Sequence, residues 1–138
     1  MKSESEILQQ LKPLLVEVLG VRPDAIHPHC ELVGDLGAES IDLLDLTFRI
    51  EEAFKVRIEA NELERQAIQQ MPGGVYERDG YLTDEALAEI RRAAPELDQG
   101  KLVAGLRKAD IPALLTVGFF VSLIQRKLSV SEEGAAHA

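Results

Sequence analysis

Ser40 is the residue whose type and setting best suit chemistry. It stands in the run Asp35-Leu36-Gly37-Ala38-Glu39-Ser40-Ile41-Asp42, where two small residues leave a hydroxyl uncrowded as a strongly helical segment begins. A helix N-terminus favours an anion through its free backbone N–H groups and its macrodipole. A serine there is ordinarily a helix cap, and its hydroxyl stands beside a site that suits an anion. The rival candidates are weaker. His27, His29 and Cys30 flank Pro28 but lack a fourth ligand at a recognisable spacing, so loop packing is the better reading and no metal site is expected. Cys30, the lone cysteine, forms no internal disulfide and has no base paired with it. Gly73-Gly74 is followed by no Gly-Lys-Ser/Thr, so it is a turn and not a phosphate loop. Glu51 and Glu52 occupy adjacent helix positions that face different ways, which does not suit general acid–base work.

The segment that must position Ser40 runs from there to Phe54. At 100° per residue, Leu43, Leu46, Ile50 and Phe54 share one arc, the expected core face. Ile41, Leu44 and Phe48 share a second arc, edged by Asp42, Asp45 and Glu52. Either this second face is buried under residues 66–110, or it is a docking stripe whose carboxylates steer a basic partner. Charge favours docking. Between Glu31 and Phe54 lie seven acids (Glu31, Asp35, Glu39, Asp42, Asp45, Glu51, Glu52) and one base, Arg49, a net −6 out of −9 for the chain. Arg49 falls among the acids on the wheel, where it can pair with them and blunt the field.

Further elements complete the frame. Ser3 and Glu6 have capping-box spacing ahead of Ile7, Leu8, Leu11, Leu14, Leu15, Val18 and Leu19, with Gly20 as the stop and Pro13 as an internal blemish. Residues 20–39 read as a long loop pinned by Val21, Ile26, Leu32 and Leu36. A short helix is expected within 55–70 and a break at 71–81. A helix capped by Thr83 is expected to end at Pro95, with another from Gln99 to Lys108. A last helix opens at Asp110 and Pro112, or at Thr116, and ends near Leu128, before a disordered tail. Of the 138 residues, 46% are hydrophobic but only 4% aromatic, which suits a Leu/Ile/Val core of packed helices. The net charge of −9 argues against nucleic acid as a partner. The N-terminus has no signal-peptide pattern, and the apolar stretch 111–124 is too short for a bilayer span of roughly 20 residues. Together these features lead one to expect a cytoplasmic protein.

The run 35–42 resembles the acyl carrier protein signature D-L-G-A-D-S-L-D, and the resemblance continues through Leu43-Leu44-Asp45-Leu46 to Ile50-Glu51-Glu52-Ala53-Phe54. Glu39 and Ile41 stand where Asp and Leu are usual; both keep the character of the position. The resemblance implies that a dedicated transferase esterifies Ser40 with 4′-phosphopantetheine from coenzyme A. It also implies that Glu39, Asp42, Asp45, Glu51 and Glu52 are acidic recognition positions, with Ile41, Leu44 and Phe48 as partner-facing apolar ones. The implied fold is all-α: an acyl-carrier-protein-like four-helix bundle with an additional helical insertion before the last helix. In this division, residues 1–128 form one domain, of which 1–65 and 111–128 resemble the family core, 66–110 are the insertion, and 129–138 are the tail.

The implied role is that of a carrier and not an enzyme, in fatty-acid, lipid or polyketide-type biosynthesis. Partners would be a phosphopantetheinyl transferase and acyl-transferring or chain-elongating enzymes with basic docking surfaces, the carrier itself being a monomer. Two alternatives stay open: a peptidyl or aryl carrier, although those resemble G-G-x-S more than G-A-E-S, and an unmodified adaptor of the same fold. Carriers of this family hold the acyl chain between their helices, so the insertion is expected to enlarge or alter that site. The Ser40-Ile41-Asp42-Leu43-Leu44-Asp45 run also resembles carriers of specialised or long acyl chains, such as those serving lipid A.

Overall fold

The computed structural model describes residues 2–59 and 61–137, with side chains through Val130. Helix α1 (Glu4–Leu19) begins with the expected capping box, the Ser3 hydroxyl accepting from the Glu6 N–H and the Glu6 carboxylate from the Ser3 N–H. It ends at Gly20, whose φ of 68° is the left-handed conformation glycine adopts without steric cost. Pro13 is tolerated inside it. A long loop leads to α2 (Ser40–Phe54), and Ile26, Leu32 and Leu36 bury their side chains to hold it.

Helix α3 (Glu62–Gln69) precedes a feature that the break at 71–81 did not reveal. Strands β1 (Glu77–Arg78) and β2 (Tyr81–Leu82) pair antiparallel about Asp79 and Gly80, which have φ of 53° and 86°. Positive φ at both turn positions is the hairpin geometry that Asp-Gly favours. Helix α4 (Asp84–Ala93) is capped as expected, the Thr83 hydroxyl accepting from the Ala86 N–H. The helix expected over 99–108 shrinks to a 3-10 turn, Gln99–Lys101, and a second 3-10 segment spans Lys108–Leu114. Gly100 and Gly105 weaken helix there, and residues 106–108 pair with the hairpin instead.

Helix α5 (Val117–His137) opens at Thr116 and not at Asp110. The buried Thr116 hydroxyl accepts from the Phe119 N–H at 3.1 Å. The backbone stays helical to His137, past Leu128 and through most of the span expected as a disordered tail. Apart from Gly134, the stretch holds no strong helix breaker; Ala138 lies outside the described residues.

Ile7, Leu11 and Leu15 of α1 meet Leu46, Ile50 and Phe54 of α2 and Val117, Leu123 and Ile124 of α5 in one core. Ala86, Leu87 and Ile90 of α4 extend this core, and α4 packs against α3. The architecture is therefore an all-α bundle with one small hairpin between α3 and α4. Among the described residues no helix is long and apolar enough to cross a membrane.

Candidate functional site

The loop before Ser40 is fixed by its own backbone. The N–H groups of Asp35 and Leu36 donate to Glu31 O, that of Gly37 to Val33 O and that of Ala38 to Leu32 O. Asp35 closes the turn from the other side, its carboxylate accepting from the Glu31 N–H at 2.8 Å. Gly37 has φ of 75°, a conformation that costs L-residues energy. The start of α5 grips the same loop: Val117 N–H donates to Cys30 O at 2.9 Å and Gly118 N–H to Pro28 O at 2.8 Å.

Ser40 is the first helical residue of α2, and Glu39, not Ser40, occupies the cap position. The capping is done by the Asp42 carboxylate, which accepts from the Glu39 N–H at 2.9 Å. The cap reading of Ser40 is thereby removed. Its side chain is exposed, and among the described residues its hydroxyl makes no hydrogen bond. With the unpaired N–H groups of a first helical turn beside it and only Gly37 and Ala38 before Glu39, the position fits an attached phosphodiester.

The two faces of α2 separate as the wheel indicated. Leu46, Ile50 and Phe54 are buried and Leu43 is half-buried against the core, whereas Ile41, Leu44 and Phe48 are 70, 55 and 59% exposed. Residues 66–110 thus do not bury the second face. Glu39, Asp45 and Glu52 are exposed, and Asp42 is half-buried in its capping bond. Arg49 pairs with Asp45 at 3.1 Å and with Glu17 at 2.8 Å. The hydrogen bond to Asp45, first among its causes, raises the Arg49 pKa further. One Glu51 oxygen accepts from the Ile58 N–H at 2.9 Å, so this acid also fixes the chain after α2.

Leu44 and Phe48 lead into a cleft of about 790 Å³ between α2, α3, the hairpin, the second 3-10 segment and α5. Its residues between α3 and α5, among them Tyr76, Arg107, Lys108 and Ala109, were not singled out in the sequence, because only folding brings them opposite α2. Burial, aided by Glu64 and Glu77, pushes the Tyr76 phenol up to about 12. Elsewhere, His27 and His29 stack with ring centroids 5.5 Å apart, and Cys30 is buried with its Sγ 3.5 Å from Ala25 O. Among the described residues no group of three or more His, Cys, Asp or Glu side chains could hold a metal ion; the side chain of His137 lies outside them.

Comparison with known proteins adds two findings. The family model described as a phosphopantetheine attachment site matches residues 9–71, from α1 to just past α3. The chain is 37% identical over 59 residues to the acyl carrier protein of Campylobacter fetus, covering 43% of this chain and 77% of that protein. It is 37% identical over 65 residues to that of Thermotoga maritima, covering 47% and 80%. It is 36% identical over 61 residues to that of Zymomonas mobilis, covering 44% and 78%.

Proposed function

Because this chain belongs to the acyl carrier protein family and carries acyl groups on covalently attached 4′-phosphopantetheine, we propose that Ser40 is the attachment residue and the exposed face of α2 the docking surface. The observation that carries this reading is the junction itself. An exposed hydroxyl, unbonded among the described residues, sits at the first helical position of the helix whose apolar stripe Ile41, Leu44 and Phe48 stays largely exposed. When attached, the arm supplies a thiol that holds the acyl group as a thioester. The protein's own residues position and present it. The backbone bonds of 31–38 hold the attachment point, and first-turn N–H groups favour the anion.

Ile41, Leu44 and Phe48 offer apolar contact, while Glu39, Asp42, Asp45, Glu51 and Glu52 supply the surrounding negative charge. A basic enzyme surface approaching this face is steered by that charge, which raises the association rate more than the final affinity. The transferase that loads Ser40 and the enzymes that transfer or elongate the acyl group are partners of this kind. They do the chemistry and this chain, a monomeric cytoplasmic carrier, holds the substrate. Its described residues form one carrier domain in which the segment between α3 and α5 is inserted.

The deciding experiment is incubation with coenzyme A and a broad-specificity phosphopantetheinyl transferase, followed by intact mass. The wild-type chain is expected to gain one phosphopantetheine and Ser40→Ala none. An equal gain in Ser40→Ala would overturn the assignment.

A further inference from the structure

The cleft beside α2 has two walls of different origin. One is built by Leu44 and Phe48 of α2 with Phe120 and Leu123 of α5. Much of the other comes from outside the span that the family model matches, with Tyr76, Ala109 and Ile111 among its residues. This second wall is held together by backbone bonds. Leu82 N–H donates to Leu106 O at 3.0 Å and Lys108 N–H to Gly80 O at 2.9 Å, and Tyr81 and Arg107 form an antiparallel bridge. Residues 106–108 thus run alongside the hairpin, joined to it by this single bridge and its two flanking bonds. The wall is also tied to α3, because Lys108 Nζ lies 3.0 Å from Glu64 Oε1, and the same Nζ lies 3.5 Å from Glu77 Oε1 of the hairpin.

Leu44 follows Ser40 by four residues, hence lies on the same side of α2 and about 6 Å along its axis. The volume of about 790 Å³ falls in the range of roughly 300–1,000 Å³ typical of small-molecule sites. A group tethered at Ser40 can therefore reach the cleft past Leu44, with the segment between α3 and α5 on its far side.

We propose that the segment between α3 and α5 is the chain-selecting wall of this cleft. It lays a second apolar side along an aliphatic acyl chain, and the pairing of Lys108 with Glu64 and Glu77 sets the width. The proposal rests on the carrier reading of Ser40 only for delivery of the chain, and the wall is testable without it. Burial of successive methylenes tightens binding about fourfold for each one, until the cleft is full. Ala109 is exposed and lines the cleft, so a Trp there narrows the cleft without disturbing the core. Lys108→Met keeps the apolar stem and releases the ion pairs.

The test uses the full chain carrying Ser40→Ala, titrated with pantetheine thioethers of increasing alkyl length and followed by amide NMR. Expected are shifts at Tyr76, Ala109 and Ile111 together with Leu44, and a Kd that falls about fourfold per methylene. Adding Ala109→Trp should weaken the longest chains by about tenfold or more while sparing the shortest, a graded loss that misfolding does not produce. Adding Lys108→Met should flatten the length preference, with native dispersion of the spectrum retained. Shifts confined to residues 41–48, or a length profile that neither substitution changes, would overturn the proposal. Failure of the coenzyme A loading assay would instead strike the Ser40 assignment and leave these titrations standing.

Discussion

The Asp42 carboxylate accepts from the Glu39 N–H at 2.9 Å and so closes the N-terminus of the helix that presents Ser40. One side chain thereby serves both the stability of α2 and its acidic face, and two substitutions separate these roles. Asp42→Ala removes the acceptor and the charge; loss of a helix cap costs about 0.5–2 kcal/mol. Asp42→Asn keeps an acceptor and removes only the charge. Urea unfolding is expected to show Asp42→Ala destabilised by about 1 kcal/mol and Asp42→Asn close to wild type, with both loaded more slowly by the transferase. Equal destabilisation of the two variants would show that charge, and not the capping bond, is what matters.

Arg49 sits between Asp45 and Glu17 and partly neutralises the face on which partners are proposed to dock. Arg49→Gln changes the net charge of residues 31–54 from −6 to −7, since seven acids then face no base. The exposed pairs it breaks contribute roughly 0–1 kcal/mol each, so folding should change little. Association with a basic partner enzyme, measured by stopped flow, is expected to quicken severalfold at low salt. The gain should fade toward physiological ionic strength, where the screening length is about 8 Å. A gain that salt does not touch would point to a steric cause.

How much could be read before folding depended on how local each signal was. Helix α2 announced itself because fifteen residues repeat one pattern and its two faces differ in charge as well as apolarity. Thr83 and Ser3 were legible as caps because a cap acts within three residues. The Asp79-Gly80 hairpin was present in the sequence but hidden, since its strands are two residues each and show no alternation. The family resemblance led one to expect an acyl site altered by residues 66–110, but the residues that line the cleft from that segment had no local signal. Lys108 meets Glu64 across 44 positions of chain, and Tyr76 reaches the neighbourhood of Leu44 only through the fold. Ser40 was legible as an attachment candidate, whereas the transfer of its capping role to Glu39 and Asp42 needed coordinates.

Gly118 supports the site from a distance. Its N–H donates to Pro28 O at 2.8 Å, and a Cβ at this position would stand 3.0 Å from the same oxygen. Alanine favours helix over glycine by up to about 1 kcal/mol, so two effects oppose each other in Gly118→Ala. Crowding should win, because Pro28 O is held at short range by that N–H while Cys30 O is held by the Val117 N–H. The expected net loss is on the order of 1 kcal/mol, read by thermal unfolding, with amide shifts spreading along residues 28–32. A more stable Gly118→Ala would mean that the loop yields freely.

Tyr76 makes the cleft sensitive to alkali. Burial first, then Glu64 and Glu77, push its phenol from the ordinary 10 up to about 12. The folded state thus favours the neutral phenol more than the unfolded chain does. That contribution is complete below pH 10 and is lost as pH rises through about 12, at 1.36 kcal/mol per unit of difference, or on the order of 3 kcal/mol in all. Lys108 works in the same sense. Its hydrogen bond to Glu64 raises its pKa, so the ion pairs that hold this wall of the cleft also weaken when the ammonium titrates. Tyr76→Phe removes the phenol's share and leaves the lysine's. Urea unfolding between pH 10 and 12 should therefore fall more steeply for wild type than for Tyr76→Phe, with the two differing little in slope below pH 9. Parallel profiles across that window would show that the phenol titrates alike in folded and unfolded chains.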